Sequence, residues 1–514
     1  MRKLNRRELV TGAGAVALAA AAPPTRVYAE PATASIATRR PIGSMQANDP
    51  ILASYRLAVE RMKALPASDP RSWESIAQIH NNFCPHGNWF FLPWHRAYLV
   101  MFERACRQIS GNENFALPYW DWTEQRRMPA AFTVQTVGGR PNALFDNTRE
   151  MPAATSLRDS AVGPQVIARI LAETDFEMFG STRPTGQNST DTQWLRAPGR
   201  STALEAGPHN STHATIGGDM GDMLSPRDPI FWLHHANVDR MWARWTAQGR
   251  ANTSDQLWET YQYNGIFWTP QGPTGTTAFN VRVSELLDHR AWGYTYQGLP
   301  PGEQAVARAP QAPQPQPRIV ASIAPTGTAR LNTILSTRLL IPGVGSGPAD
   351  QAPGGQGPAA ESPPSADPNA MMREGAPLTP PRGAESAPRP APAPAPRART
   401  AVERGRVFAI LDGMGARRGK AATVNVFLNC KYLTPQTPTS DPHFVGTYGL
   451  FGLQDHAQHQ AGGVNMQIEL TETIAKLRQT SGDVGAEFDV QVLPVEARGG
   501  DLELAVQRIN IATL

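Results

Sequence analysis

IHNNFCPHGNWFFLPWHRAYLVMFE (79–103) places three of the chain's eleven histidines, His80, His86 and His95, in one short stretch. Outward on its C-terminal side, residues 93–110 read as a long helix. Pro93 suits a first helical turn, Gly111 a stop, and Tyr98, Leu99, Met101, Phe102, Cys106 and Ile109 supply an apolar face. On its N-terminal side, residues 72–81 form another helix, with Trp73, Ile76 and Ile79 on one face and His80 at its end. His95 then sits near a helix start, His80 at a helix end and His86 in the loop between. A further helix over 50–66 precedes them.

A second dense stretch, EAGPHNSTHATIGGDMGDMLSPRDPIFWLHHANVDRMW (205–242), carries His209, His213, His234 and His235. Pro208 can open a helix on which His209 and His213, four apart, share one face. His235 comes from the next helix, 229–248, whose apolar surface includes Phe231, Trp232, Leu233, Val238, Met241 and Trp242. A lone histidine of this kind is ordinarily a hydrogen-bonded core residue. Six of them in two triplets on helices point instead to metal. Imidazole suits copper, zinc, iron and nickel. Neither group has a carboxylate or thiolate placed as an obvious ligand, and an all-histidine set with an open position is what an oxygen-binding copper pair needs.

The chain is 514 residues long, which is more than one ordinary domain. A net charge of +4, spread along the chain, argues against nucleic acid or a membrane surface as partner. Three cysteines exclude a disulfide framework. Residues 1–29 read as a twin-arginine-like signal peptide: Arg6 and Arg7 precede the apolar run 9–22, and Val27, Tyr28 and Ala29 form a small-residue cleavage pattern. That predicts export to the periplasm or beyond, with no stable membrane span. Residues 123–200 are weakly patterned, with one helix near 163–174, and 267–297 alternates like strands and turns. Residues 309–400 hold 20 of the 47 prolines, and the nearly pure Ala-Pro tract 387–397 cannot pack a core. Within this expected linker, 328–342 is apolar enough to order against a neighbour. The tail, 401–514, returns to strand-like runs (VFAILDG, ATVNVFLN, VNMQIEL, FDVQVLPV, LAVQRINI) and predicts an antiparallel β-sandwich or barrel.

The segments 84–103 and 205–242 resemble the two copper motifs of the tyrosinase and polyphenol oxidase family of type-3 copper proteins. The tail segments ATVNVFLN and HFVGTYGLFGL (443–453), with VRVSELLDHRAWGYTYQ (281–297), resemble the plant-type members. The resemblance implies a mainly α architecture: a helical-bundle copper domain over 40–300, the Pro/Ala-rich linker over 309–400, and the β domain over 401–514, which covers the active site in latent relatives. It implies two copper ions, one on His80, His86 and His95 and the other on His209, His213 and His235, with His234 a neighbour rather than a ligand. A Cys84–His86 thioether follows from the Cys-x-His spacing of fungal members; a buried thiol is the alternative. Glu205 with Asn210 matches the pair that holds a water able to deprotonate a phenol. Phe231 matches the aromatic that stacks on the substrate ring, and Ala214 the position that tunes access. Tyr448, Leu450 and Phe451 are candidates for the residue that plugs the entrance.

The activity implied is ortho-hydroxylation of monophenols and oxidation of o-diphenols to o-quinones with O2, on a small phenolic substrate, with a copper chaperone as a candidate partner. Two alternatives stay open: a catechol or o-aminophenol oxidase without monophenolase activity, and a haemocyanin-like oxygen carrier. Asp239 is a candidate to anchor the 229–248 helix, through either Arg96 or Arg240.

Overall fold

The computed structural model describes residues 36–184, 194–299, 316–340, 405–453, 463–481, 484–485 and 487–514. The signal peptide expected at 1–29 and the Ala-Pro tract at 387–397 lie outside them. The principal helices are α1 (Pro50–Ala64), α2 (Trp73–Phe83), α3 (Phe91–Ser110), α4 (Pro164–Ala172), α5 (Asn210–Ile216), α6 (Ile230–Ala247) and α7 (Thr471–Ser481). The principal strands are β1 (Ala37–Arg39), β2 (Gln262–Gln271), β3 (Gly275–Arg282), β4 (Tyr294–Tyr296), β5 (Arg318–Ile323), β6 (Thr328–Ala329) and β7 (Leu335–Leu340). They continue with β8 (Val407–Ala416), β9 (Ala421–Leu428), β10 (Phe444–Leu450), β11 (Val464–Glu469), β12 (Glu487–Arg498) and β13 (Leu504–Thr513).

The chain separates into two compact units. Met1–Cys84, Leu92–Asp146 and Pro226–Pro310 form the first; Pro85–Phe91, Asn147–Ser225 and Gln311–Leu514 form the second. Residues 85–91 and 147–225 of the domain expected at 40–300 therefore belong with the tail rather than with the remaining helices.

The first unit is helical, with a hairpin of β2 and β3. The Asp49 carboxylate caps α1 at Ile51 N–H, and Pro50 opens the helix. Ser72 caps α2 at Ser75 N–H; that helix ends at Cys84, which Pro85 holds extended. α6 is buried along most of its length, as expected of a helix apolar on nearly every side. Its Trp232 stacks on Phe102 of α3 at 3.5 Å, and the Tyr98 hydroxyl of α3 donates to the Ile76 carbonyl of α2 at 2.6 Å.

Beneath these helices lies a buried polar cluster. Asp239 of α6 accepts from Arg96 Nε at 2.6 Å and from the hydroxyls of Tyr294 and Tyr296 at 2.7 and 2.6 Å. Arg39 donates to Glu103 at 2.9 Å and to the Tyr296 hydroxyl at 2.8 Å. Parallel pairing of β1 with β4 brings Arg39 and Tyr296 together. The α6 anchor is thus Arg96; Arg240 pairs with Asp121 instead, at 2.8 Å.

The second unit contains two sheets, β11-β8-β13-β5, with β6 also on β13, and β10-β9-β12-β7. Val424 and Val490 of one sheet and Leu411 and Ile509 of the other belong to a single hydrophobic cluster. All five strand-like runs of the tail are strands, and HFVGTYGL contributes β10. The linker expected over 309–400 does not extend across 318–340. β5, β6 and β7 come from there, and the alternating burial of β7, with Leu335, Thr337 and Leu339 inward, is that of a half-buried strand. Among the described residues the tail also holds a helix, α7, that the strand pattern does not announce.

Candidate metal centre

In the first unit, α2 delivers His80 from its last turn, α3 delivers His95 from its first, and α6 delivers His234 and His235. All four are buried. The His95 and His235 rings stack at 4.1 Å, and the His80 ring centre lies 5.7 Å from His95 and 6.4 Å from His235. Ligand-capable atoms of His80, Cys84 and His95 lie within 4.8 Å of one another. Cys84 Sγ is 3.4 Å from His95 Nε2. Phe231, one turn before His235 on α6, has its ring 4.1 Å from His235 and 5.2 Å from His80.

His234 is committed elsewhere. Trp122 Nε1–H, which can only donate, reaches His234 Nδ1 at 3.1 Å. A neutral His234 then carries its proton on Nε2, so neither nitrogen keeps a lone pair for a metal. That bond favours His235 as the donor of the adjacent pair.

In the second unit, α5 carries His209 and His213 behind a wide turn, Glu205–His209, that contains Pro208. Every residue of α5 is buried. The His209 and His213 rings are 4.6 Å apart, and the His86 ring is 5.9 Å from His209. His213 Nδ1 lies 2.8 Å from the Met220 carbonyl, and His209 Nδ1 lies 2.7 Å from Asn210 Oδ1. A carbonyl oxygen only accepts, so both Nδ1 atoms are protonated and both Nε2 atoms keep their lone pairs. Burial pushes the His213 pKa down to about 4, which keeps its ring neutral, the form a metal requires. The donor set therefore fits a cation of the imidazole-binding kind.

Glu205 is fully buried. Gly87 N–H, directly after His86, donates to both its oxygens at 2.8 and 3.0 Å, and the Ser181 hydroxyl donates to one of them. Burial raises its pKa to about 7, against bonds from Ser181, Gly87 and Ser201 that lower it. Asn210 is held by its bond to His209, and Ala214 is fully buried.

Of the three plug candidates, Leu450 lies in the tail's own core and Tyr448 packs at its margin. Phe451 instead stacks on His213 at 4.5 Å and 14°, and its ring centre is 4.9 Å from His86 and 5.7 Å from His209. Sequence reasoning missed Trp122, Ser181 and the Met220 carbonyl. Trp122 lies in an aromatic run that reads as a structural anchor, and no spacing rule ties the other two to a histidine.

The family described as the common central domain of tyrosinase matches residues 70–194 and 135–248, a span that includes all six proposed ligands. A domain of unknown function matches 385–513. A tyrosinase from Hahella sp. is 26% identical over 509 residues, covering 90% of this chain and 97% of that one. A polyphenol oxidase from Vitis vinifera is 30% identical over 308 residues, covering 52% of this chain and 49% of that protein. The chain thus spans nearly the whole bacterial relative and about half the length of the plant one. Among solved structures, a latent aurone synthase (TM-score 0.59, 20% identity, 95% of this chain and 92% of that) and a latent apple tyrosinase (TM-score 0.58, 21% identity, 94% and 98%) share the fold of a helical domain plus a C-terminal sheet domain. Over residues 70–248 the chain carries the common central domain of tyrosinase; it is an oxidoreductase of the tyrosinase and polyphenol oxidase class, and its two buried histidine clusters are consistent with a pair of copper ions and O2 as co-substrate.

Proposed function

We propose that His80, His86 and His95 hold one copper ion and His209, His213 and His235 the other, and that the enzyme hydroxylates monophenols and oxidises o-diphenols to o-quinones. The balance is one monophenol and one O2 to one o-quinone and one water, or two o-diphenols and one O2 to two o-quinones and two waters. The observation that carries the reading is that His209 and His213 each set Nδ1 within hydrogen-bond distance of a carbonyl oxygen, the tautomer in which Nε2 is the lone-pair donor. Bound copper supplies the activation of O2. The chain's own groups do the rest. Phe231 offers a ring face on which a phenol can stack. A phenol has a pKa near ~10 and must lose its proton to react as phenolate. Glu205, with a pKa of about 7, is suited to accept that proton through a water held with Asn210. Ala214 leaves the approach unobstructed by its own side chain.

Phe451 stands where a substrate ring would approach His213, which supports latency of the intact chain. The pair of tail sheets is read as the sandwich of plant-type latent members. A Cys84–His86 thioether, twin-arginine export and loading by a copper chaperone complete the proposal.

One observation favours the narrower catechol-oxidase reading: Glu205 already accepts from Gly87 and Ser181, and Asn210 from His209. Copper analysis of purified protein, peptide mass mapping around Cys84, and monophenol and catechol assays on the Phe451→Ala chain test these points together. Expected are two copper ions, a linked 84–86 peptide, turnover of both substrates, and loss of monophenol but not catechol turnover in a further Glu205→Gln variant. Oxygen binding with no quinone formed sinks the enzyme reading. Unaltered monophenol turnover in Glu205→Gln removes the base assignment.

A further inference from the structure

The two sheets of the second unit are not built from the tail alone. β5, β6 and β7 precede the stretch 341–404, and β8 to β13 follow it. β5 pairs with β13 from Ile323↔Ile509 to Arg318↔Thr513, β6 pairs with β13 at Ala329↔Leu504, and β7 pairs with β12 from Leu335↔Val492 to Leu340↔Glu487. Ala329, Leu335 and Leu339 are buried in the same cluster as Val490, Val492 and Ile511. A cut within 341–404 therefore leaves strands of both pieces in both sheets.

The tail is also fitted directly to α5. Gly449 of β10 runs so close that a Cβ there would lie 2.1 Å from the backbone of Asn210 and Ser211. At the other end of the helix, Arg498 Nε donates to the Thr215 carbonyl at 3.1 Å, and the Thr215 hydroxyl donates to Glu496 at 3.0 Å. A cation on the last carbonyls of a helix satisfies acceptors that the helix itself cannot. Elsewhere the Ser201 backbone exchanges hydrogen bonds with Asn465 and Gln467 at 3.0 Å each, and Gly452 N–H donates to the Gly221 carbonyl at 3.0 Å.

We propose that the tail is a permanent wall of the half that carries His209 and His213, split across the chain so that cutting 341–404 neither releases it nor uncovers the site. Gly449 and Arg498 are positioning residues for the two histidines, acting through the ends of α5. The inference rests on the reading of His209 and His213 as copper ligands.

The test uses the copper-loaded full chain with a protease site placed in 387–397. After cutting, two bands on a denaturing gel should accompany one gel-filtration peak at the uncut position, with both copper ions kept and catechol turnover no higher than before. Separation of the pieces in native buffer, or activation by the cut alone, overturns the wall. In the uncut chain, Gly449→Val or Arg498→Ala should lose one of the two copper ions while the far-ultraviolet circular dichroism is kept. Arg498→Lys, which keeps a cation at the helix end, should restore part of that copper. Full copper in both Gly449→Val and Arg498→Ala overturns the positioning role. His213→Ala separates the two levels: if it too keeps both ions, the ligand assignment has failed; if it loses one while Gly449→Val and Arg498→Ala lose none, only this inference has.

Discussion

Glu205 takes its hydrogen bonds from neutral donors, the Gly87 N–H and the hydroxyls of Ser181 and Ser201, in a fully buried position. Burial outweighs those bonds and raises its pKa from 4.5 to about 7. A carboxyl whose folded pKa is raised stabilises the fold fully below its unfolded pKa and loses that contribution as pH climbs through the folded value. The window is therefore about pH 4.5 to 7, and the size is about 3 kcal/mol. The buried His213, whose pKa is lowered to about 4, gains stability as pH rises toward 6.5 and opposes this fall, so the Glu205 contribution is read as a difference: we predict that in urea melts of the chelated, copper-free chain wild type loses about 3 kcal/mol relative to Glu205→Gln across this window. A difference that does not change with pH would mean that Glu205 does not titrate there. The six histidines were legible because helical spacing and a Pro-containing loop suffice to bring them forward. What Glu205 touches was not: Ser181 and Gly87 lie far from it in sequence, and only folding brings their donors to its oxygens.

At the scale of elements, α3 and α6 are fastened to each other by charge as well as by apolar packing. Burial alone would raise the Asp239 pKa, but Arg96, Arg39 and the hydroxyls of Tyr296 and Tyr294 hold it below the usual carboxylate range. Arg96 also lies 3.8 Å over the Trp242 ring, one turn along α6 from the Asp239 region. Removing the carboxylate would leave the buried Arg96 guanidinium without its ion-pair partner and Arg39 with Glu103 alone. We predict that Asp239→Asn costs about 3–5 kcal/mol in chemical denaturation; a loss within about 0.5 kcal/mol, as for an ordinary surface change, would show that the cluster is not a clamp. Helices α1, α2, α3 and α6 were legible because their signals are local: Asp49 and Ser72 caps, Pro at first turns, and apolar residues at one-turn spacing. The choice between Arg96 and Arg240 as partner of Asp239 was not, because it depends on which helix lies opposite. β5 was masked by its setting, a Pro-rich stretch in which RIVASI has no turn signals of its own. Its strand character comes from pairing with β13.

For the molecule as a whole, the order of the chain and the order of the sheets disagree, and that has a kinetic consequence. β5 must find β13, and β7 must find β12, across the whole of 341–404 and most of the tail. Pairings this distant in sequence form only after a large loop has closed, so they are slow, although the loop's cost grows only gently with its length. In the uncut chain that closure is intramolecular, and its rate is independent of protein concentration. Once 341–404 is cut and the pieces are fully denatured, the same pairing becomes an encounter between two molecules. We predict that refolding of the uncut, copper-free chain, followed by recovery of the sheet signal in circular dichroism, has a half-time unchanged by dilution, while that of the cut chain lengthens in proportion to dilution. A cut chain that refolds as fast at low as at high concentration would mean that β8 to β13 form their sheets without β5 and β7, and that the strands before the cut add to a finished domain rather than build it.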